Sequence, residues 1–401
     1  MNCRHFGGYK PCKHILDGSV EDTQCGEACA KFDAATTRVL IVHLGALGAV
    51  VRSTALLPAI RRKFFGAHVT WVTDRPGDVL LKAHPLVDRV LTTDIEGLLS
   101  LEALEFDVAL VVDKSLKASG VLKRARADLV YGFLADPKTG AIHPVTAAAD
   151  EAWRVGLSNR VKFHVNRKTE TQLMHEALEL GPWRRDPYSL YLTEFEQAES
   201  LSRRRAWLER SLRTDLVIGF NTGCANTIPY KKLSIDGHVE LIRRLRARMA
   251  QSQPAFVLLG GKEDTLRNQV IASRLRDLGI TVIQSSTELG LRDGMMSVAA
   301  CDVVVTGDSL GMHMAIGFEK EVVAWFGPTC AHEIDLYDRG ERVLSSATCA
   351  PCWKRRCPKE ATGSKLCYDE LDLEKMADAV ERSVARTQAL RSVGTCGHLS
   401  P

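Results

Sequence analysis

The chain has 401 residues, of which 45% are hydrophobic and 25% charged, and its formal net charge is +4. This composition is typical of a soluble globular protein that is long enough for two domains, each with its own core. So small a net charge does not indicate a nucleic-acid partner. Basic runs such as residues 203–205 lie on predicted helices, where they are expected to form solvated faces.

Neither a membrane span nor a secretion signal is predicted. The longest apolar run, residues 39–51, is interrupted by His43 and Gly45 and is shorter than the ~20 residues that a bilayer requires. The first residues lack the apolar core of a signal peptide. We therefore expect a cytoplasmic protein, and peripheral contact with the inner membrane face is compatible with this expectation.

The first half of the chain alternates short apolar runs with helical segments. Residues 1–36 read as a cysteine-bearing, loop-like extension. After it come a predicted strand at 39–44, a glycine loop at 45–48 and a helix at 53–63, and further strands are predicted at 69–72, 89–91, 108–112 and 129–131. Such alternation indicates a parallel sheet covered by helices on both faces.

The same alternation begins again after a charged helix predicted at 194–213. Strands are predicted at 216–221, 255–259, 281–283, 303–305 and 322–324. The sequence therefore predicts an α/β protein with two Rossmann-like domains whose parallel sheets face a central cleft. We expect a Cys-rich extension at 1–36, an N-terminal domain at 37–195, and a C-terminal domain at 214–385 with a Cys-rich insert at 349–367.

The segment 306–313, Thr-Gly-Asp-Ser-Leu-Gly-Met-His, is the most informative part of the chain. A buried strand ends in a Gly307-Asp308-Ser309 turn, and Ser309 is placed to cap a helix that begins near Leu310. The N–H groups and the positive end of such a helix form a site for a phosphate. The spacing alone is equally compatible with an ordinary strand–turn–helix unit.

This segment, with the run Val322-Val323-Ala324-Trp325-Phe326-Gly327-Pro328-Thr329 that follows it, resembles the C-terminal signature of glycosyltransferase family 9, the ADP-heptose-dependent heptosyltransferases. The resemblance extends over roughly residues 38–385. It implies a GT-B fold, a nucleotide-sugar donor bound mainly by the C-terminal domain, and inverting sugar transfer without a catalytic metal. By this resemblance Asp308 binds donor sugar hydroxyls, and His313 contacts phosphate or sugar. The phosphates would bind Ser309 and the N–H groups of Leu310 and Gly311.

Other donor-binding residues are expected at two further loops of the second half. Family members place a basic residue after the strand at 216–220, and Lys231 matches it best, with Lys232 next to it. A departing nucleoside diphosphate needs such cations, to which Thr222 would add a hydroxyl; the alternative is two exposed loop lysines. The turn at 260–264 resembles the family's ribose-binding turn, in which Glu263 would bind the ribose hydroxyls or cap the next helix.

The first half departs from the family pattern at the general base. Many members carry an aspartate directly after the second glycine of the first loop, whereas this chain has Ala49. Transfer to a hydroxyl needs a proton acceptor, and Asp113, at the end of the strand predicted at 108–112, is the replacement we favour. The alternative is that Asp113 caps the next helix. The substitution also leaves open a nucleotide-sugar-binding protein without activity.

Eight of the twelve cysteines form two groups. Cys349, Cys352, Cys357 and Cys367 have a spacing that suits a structural zinc or iron site, with reduced thiols or redox chemistry as alternatives. Some family members that modify proteins carry an iron-binding cysteine finger in this region. Cys3, Cys12, Cys25 and Cys29, with His5 and His14 nearby, are candidates for a second site.

The function predicted from these features is transfer of a heptose from ADP-heptose to a hydroxyl of a lipopolysaccharide core sugar or of a protein. Asp113 and Lys231 would be the catalytic residues. A nicotinamide-dependent oxidoreductase ranks below it, because no strand is followed by a convincing Gly-x-Gly-x-x-Gly.

Overall fold

The computed structural model describes residues 2–21, 25–211 and 215–395, with side chains as far as Arg391. The chain forms two compact units. The first is drawn from Met1–Ala46, Ser53–Leu157 and Thr171–Asp186. The second is drawn from Leu47–Arg52, Ser158–Glu170 and Pro187–Pro401, so that the short helix after the first strand packs with the C-terminal half.

The first unit is built on a six-stranded sheet. Its strands are β1 (Thr37–Val42), β2 (Ala67–Thr73), β3 (Arg89–Thr92), β4 (Glu105–Val111), β5 (Arg126–Ala135) and β6 (Ile142–Pro144). The spatial order is β3-β2-β1-β4-β5-β6, and β6 alone pairs antiparallel. The central strands β1 and β4 are apolar and buried over their last four residues, because helices cover both faces of a parallel sheet.

The second unit has a sheet of the same design. Its strands are β7 (Val217–Asn221), β8 (Ala255–Leu259), β9 (Ile283–Gln284), β10 (Val303–Gly307), β11 (Glu321–Phe326) and β12 (Gly340–Leu344). The order is β12-β11-β10-β7-β8-β9, with every pairing parallel. The strand order therefore reverses between β1 and β4 in the first sheet and between β7 and β10 in the second. In open α/β sheets, ligands bind beyond the carboxyl ends of the strands at such a switch point.

The α-helices of the described residues are Lys13–Leu16, Leu47–Ser53, Leu57–Lys63, Gly77–Leu81, Ile95–Glu102, Leu116–Arg124, Asp150–Leu157, Glu170–Ala177, Glu194–Ser211, Ile235–Arg248, Thr265–Asp277, Leu291–Ala299, Leu310–Gly317 and Leu373–Thr395. Short 3-10 turns lie at Thr54–Leu56, Ala147–Ala149, Pro229–Lys231, Lys262–Asp264, Ala331–Glu333 and Glu360–Thr362, and a π turn lies at Val161–Val165. Within the residues described, no helix is long and apolar enough to cross a membrane.

The expected architecture of two Rossmann-like parallel sheets is confirmed, with differences at element ends. The strand expected at 281–283 begins only at Ile283, and the helix expected at 53–63 is divided by the 3-10 turn Thr54–Leu56. Each sheet has its own buried core. Leu40, Val42 and Val111 lie in the first, and Ile218, Val305 and Val323 lie in the second.

Candidate functional site

The ends of β7 and β10 lie side by side at the switch point of the second sheet. Thr306 of β10 is in register with Asn221 of β7. The Asn221 amide donates hydrogen bonds to the Thr306 hydroxyl at 3.1 Å and to the Ser309 hydroxyl at 2.9 Å. The Ser309 hydroxyl also accepts a bond from the Met312 N–H and so caps the helix Leu310–Gly317. The cap predicted from the sequence is confirmed.

The first turn of this helix packs closely against Asn221. A Cβ atom at Gly311 would lie 2.7 Å from Asn221 Cγ, so a larger residue would push the helix away from β7. The Leu310 and Gly311 N–H groups belong to the first turn, which has no acceptor within the helix and carries its positive end. The geometry is that of an anion site. The assignment of these groups to the donor phosphates stays a prediction.

Lys231 and Asp308 form an ion pair at this helix end. The Lys231 Nζ lies 2.9 Å from Asp308 Oδ2, and both side chains are less than a fifth exposed. The Trp325 indole donates to the Lys231 carbonyl at 2.8 Å and holds the 3-10 turn Pro229–Lys231 in place. Burial acts to raise the pKa of Asp308, but Lys231, His313 and Thr329 outweigh it and the pKa is lowered. Lys231 is therefore not an exposed loop lysine.

His313 is buried one turn further along the helix. Its Nε2 lies 3.9 Å from Asp308 Oδ1. Burial, reinforced by the charge of Arg52, lowers the pKa of His313 to about 3, so the imidazole is neutral at neutral pH. A Cβ atom at Gly48 would lie 2.5 Å from the His313 ring, which shows that the first turn of the helix Leu47–Ser53 packs directly on the imidazole. The ring can thus donate or accept one hydrogen bond without adding charge.

A second lysine shares an aromatic neighbour with Lys231. The Nζ of Lys162 lies 4.5 Å from the centre of the Trp353 ring, and the Nζ of Lys231 lies 5.7 Å from it. The backbone of Trp353 is fixed by its N–H, which donates to the Pro328 carbonyl at 2.8 Å. Cation–π attraction holds both ammonium groups at this ring. The sequence analysis missed Lys162 and Trp353, since neither belongs to a motif of the strand–turn–helix kind.

Two carboxylates, one buried and one partly exposed, balance the cations of this region. Glu333 Oε1 lies 3.1 Å from Lys162 Nζ, and the Glu333 side chain is 9% exposed. Arg52 forms an ion pair with Glu170. Burial and the charge of Glu170 raise the pKa of Glu333 to about 7, although Lys162 and Arg52 oppose the shift. A carboxylate that titrates near neutral pH beside the ion-paired cluster is a functional candidate, and the only sequence signal for it is its place just after Gly327-Pro328-Thr329.

The loops after β7 and β8 form the other side of the cluster. Lys232 Nζ lies 3.4 Å from the buried Asp264, whose carboxylate accepts the Gly261 N–H at 3.1 Å. Asp264 therefore stabilises the turn, whereas Glu263 is exposed to solvent. The Thr222 hydroxyl is buried and bonds to Asn268 at 2.6 Å. The ribose role of Glu263 and the donor roles of Lys232 and Thr222 stay predictions.

Asp113 lies at the switch point of the first sheet, two residues beyond β4. Its carboxylate accepts hydrogen bonds from the N–H groups of Leu44 and Gly45, and His43 Nε2 lies 3.7 Å away. Burial raises the pKa of Asp113 to about 6, against the effect of those two N–H groups. Ser115, rather than Asp113, caps the next helix by accepting from the Ala118 N–H at 3.1 Å. The carboxylate is thus available as a proton acceptor.

A known protein family matches more than half of this chain. The family model described as glycosyltransferase family 9 (heptosyltransferase) matches residues 99–362. The chain belongs to this family. The match includes Asp113, Lys231, Asp308 and His313, whereas Gly48 and Arg52 precede it.

Solved structures of family 9 members show the same GT-B fold. A family 9 glycosyltransferase from Veillonella parvula is 17% identical and has a TM-score of 0.68, over 87% of this chain and 98% of that one. The E. coli ADP-heptose lps heptosyltransferase II is also 17% identical and has a TM-score of 0.61, over 88% and 99%. Among curated proteins, lipooligosaccharide heptosyltransferase 2 of Campylobacter jejuni is 23% identical over 141 residues. That alignment covers 35% of this chain and 44% of the relative, less than half of its length.

Eight cysteines of this family 9 chain line two cavities, four at each. Cys349, Cys352, Cys357 and Cys367 line one, together with Tyr230 and Pro328. Cys3, Cys12, Cys25 and Cys29 line the other. The eleven cysteines that the structure describes are thiols rather than disulfides, Cys224, Cys301 and Cys330 are buried, and Cys396 lies outside the described residues.

Neither cavity is a finished metal site. In the described part of the chain, no group of three or more His, Cys, Asp or Glu side chains is arranged to hold a metal ion. The structure therefore brings the four predicted ligands of the C-terminal group together without showing the metal geometry that the sequence analysis expects there.

Proposed function

We propose that this protein is an inverting glycosyltransferase that transfers a heptose from ADP-heptose to a hydroxyl of a lipopolysaccharide core sugar or of a protein. The observation that carries the proposal is the cluster of Lys231, Asp308 and His313 at the start of the helix capped by Ser309. His313 is buried, and the other two side chains are less than a fifth exposed. The names of the Campylobacter and E. coli relatives support heptose as the sugar and ADP-heptose as the donor.

Departure of the nucleoside diphosphate is the step that the second unit would assist. As the bond between the anomeric carbon and the diphosphate oxygen breaks, negative charge grows on the leaving group. Lys231 and the N–H groups of Leu310 and Gly311 would meet that charge without reorganisation, which lowers the barrier. In this proposal residues 214–385 bind the donor, with Lys232 and Thr222 beside the phosphates, Glu263 on the ribose hydroxyls, and Asp308 on the sugar.

Activation of the acceptor would fall to Asp113. The carboxylate takes the proton of the acceptor hydroxyl while the hydroxyl oxygen attacks the anomeric carbon from the face opposite ADP. One bond to that carbon forms as the other breaks, so the configuration inverts. A pKa of about 6 suits this task, because the carboxylate is ionised at neutral pH yet more basic than an ordinary aspartate. Residues 37–195 would bind the acceptor.

We also propose a structural zinc or iron ion at Cys349, Cys352, Cys357 and Cys367. The four thiols line one cavity and are the ligand set that such ions favour, although their side chains must close to coordinate one. The ion would brace the segment that carries Trp353, and the transfer reaction needs no contribution from it. Thiols of this kind require a reducing compartment, which fits a cytoplasmic location.

Thermal unfolding with a panel of nucleotides tests the proposed donor. A ligand at ~100 times its Kd adds about 2.7 kcal/mol of stability. We expect stabilisation by ADP and more by ADP-heptose, with little effect of UDP, GDP or NAD. Preferential stabilisation by UDP or NAD would overturn the donor assignment. ADP-heptose binding with neither hydrolysis nor transfer, to core oligosaccharide or to protein acceptors, would favour the inactive binding protein instead.

A further inference from the structure

The N-terminal segment lacks the hydrophobic core that a folded lobe needs. Of the described residues before Thr37, Val20 is the single hydrophobic residue that is buried. The regular structure there consists of the four-residue helix Lys13–Leu16 and an isolated bridge between Cys3 and Ala34. A lobe of this size cannot be held by so little apolar burial, and small folds of this kind rely on cross-links.

Metal-ligating side chains occupy the place of that core. A single cavity is lined by four cysteines and two histidines, namely Cys3, Cys12, Cys25, Cys29, His5 and His14. Apolar side chains complete its wall, including Phe6, Ile15 and Val20. These six residues line one small space, although they come from four separate parts of a stretch of fewer than thirty residues.

The sequence pattern matches the grouping. Cys3-Arg4-His5 and Cys12-Lys13-His14 repeat a Cys-x-His unit, and Cys25 and Cys29 follow as a closely spaced pair. The two imidazoles contact each other edge to face, with ring centres 4.6 Å apart, and His14 Nδ1 lies 4.0 Å from Asp17. The four thiols are by themselves a tetrahedral ligand set of the kind that structural zinc and iron ions favour.

We propose that Cys3, Cys12, Cys25 and Cys29 form a structural metal site for a soft divalent cation, Zn²⁺ or Fe²⁺, which holds the N-terminal lobe together. The site is separate from the C-terminal cysteine group and independent of the activity proposed above. Four thiolates leave no open coordination position, so the ion has a structural role and takes no part in catalysis.

Metal binding and ordering of the lobe are one process in this proposal. Across the ranges that the structure describes, no three His, Cys, Asp or Glu side chains stand ready around an ion. The thiols must therefore close on the cation as it binds, and the free energy of binding becomes folding free energy of the lobe. Removal of the metal should loosen the lobe before the sheets unfold.

Arg4 connects the N-terminal lobe to the first sheet. It lies between Cys3 and His5, and its guanidinium donates to Asp33 at 2.7 Å, to Asp88 at 2.8 Å and to the Ala67 carbonyl at 2.9 Å. Asp88 precedes β3, and Ala67 begins β2. The metal site would thereby hold the lobe against the edge of the first sheet.

The proposal is tested on the full chain, purified under reducing conditions, by metal content and cobalt spectroscopy. We expect the Cys12→Ser/Cys29→Ser variant to lose one equivalent of Zn or Fe per chain, together with one share of the thiolate-to-cobalt charge-transfer band. Cys352→Ser/Cys357→Ser is the matched control, because it changes the other group and should leave the N-terminal equivalent in place. Unchanged metal content in the N-terminal variant would overturn the proposal.

A second measurement needs no variant and therefore does not depend on folding of a mutant. Alkylation of the wild-type thiols, followed residue by residue by mass spectrometry, is compared before and after removal of the metal by a chelator. We expect Cys3, Cys12, Cys25 and Cys29 to react at least tenfold faster after chelation. Equal rates, or disulfides between these residues in the untreated protein, would contradict a metal site.

Discussion

Replacing Asp113 by asparagine separates the chemistry of this residue from its contribution to folding. The asparagine oxygen can still accept the N–H groups of Leu44 and Gly45, so the loop after β1 keeps its support. The amide cannot take a proton from an acceptor hydroxyl. We therefore expect transfer to fall by roughly a hundredfold or more, the size of a lost general base.

The stability of the same variant should move in the opposite direction. The carboxylate is 17% exposed, and burial raises its pKa from 3.8 to about 6. The folded protein thus holds a proton that the unfolded chain has lost. This contribution to stability is complete below pH 4 and is lost as the pH rises through 6. The difference corresponds to about 3 kcal/mol at pH 7, and Asp113→Asn should recover part of it.

The assay combines a pH profile of transfer with unfolding of both proteins. Wild-type kcat/KM should fall about tenfold between pH 7 and pH 5 as Asp113 is protonated. Asp107→Asn is the matched control, because Asp107 lies on the same strand but pairs with Arg38 at the surface. An Asp113→Asn variant that keeps the wild-type rate would refute the role of Asp113 as general base. A variant that is less stable than the wild type at pH 7 would refute the expected gain in stability.

Three further variants test the donor side. Trp353→Ala removes the ring shared by Lys162 and Lys231 and should raise the Kd for ADP about fivefold, which corresponds to about 1 kcal/mol. Trp353→Phe should retain most of the affinity. An unchanged Kd of the alanine variant in a calorimetric titration would contradict a role for the ring. Gly48→Ala places a Cβ atom 2.5 Å from the His313 ring and should lower the free energy of unfolding by about 1–3 kcal/mol. The affinity for the donor should fall as well. Gly120→Ala, where the added Cβ atom meets open space, should change neither quantity. In the wild type we expect ADP-heptose binding to weaken as the pH rises from 6 to 8, because Glu333 loses its proton. Glu333→Gln should abolish this pH dependence. A pH dependence that survives in the variant would belong to another titrating group.

The fold was predictable because its signals are local. Buried parallel strands read as short apolar runs, and the strand Ala255–Leu259 agrees with the expectation residue by residue. The cap at Ser309 was predictable for the same reason, since a side chain and the N–H groups it binds lie within one turn. The cap that was the alternative role for Asp113 belongs instead to Ser115, two residues further along the chain.

The parts of the site that the sequence did not reveal depend on contacts between distant segments. Lys162, Glu333 and Trp353 come from a π turn, a 3-10 turn and a cysteine-rich loop, none of which has a motif with a known chemistry. The burial of Glu333 is also unexpected, because charged side chains are rarely buried unless they are paired. The pairing that makes it possible, Lys162 with Glu333, joins residues that only the tertiary fold brings together.

The charges of this cluster predict an effect of Glu333 on donor binding. Three cations and three carboxylates face one another there, namely Lys162, Lys231, Arg52, Glu333, Asp308 and Glu170. ADP-heptose would bring two negative charges into a site whose formal charges already cancel. Glu333 is the carboxylate with a pKa of about 7, so the negative donor should raise that pKa further and draw in a proton. Protonation leaves Lys162 unopposed beside the diphosphate. Titration of ADP-heptose in two buffers of different ionisation enthalpy should therefore show proton uptake in the wild type and none in Glu333→Gln; equal uptake in both would mean that the charge is met elsewhere.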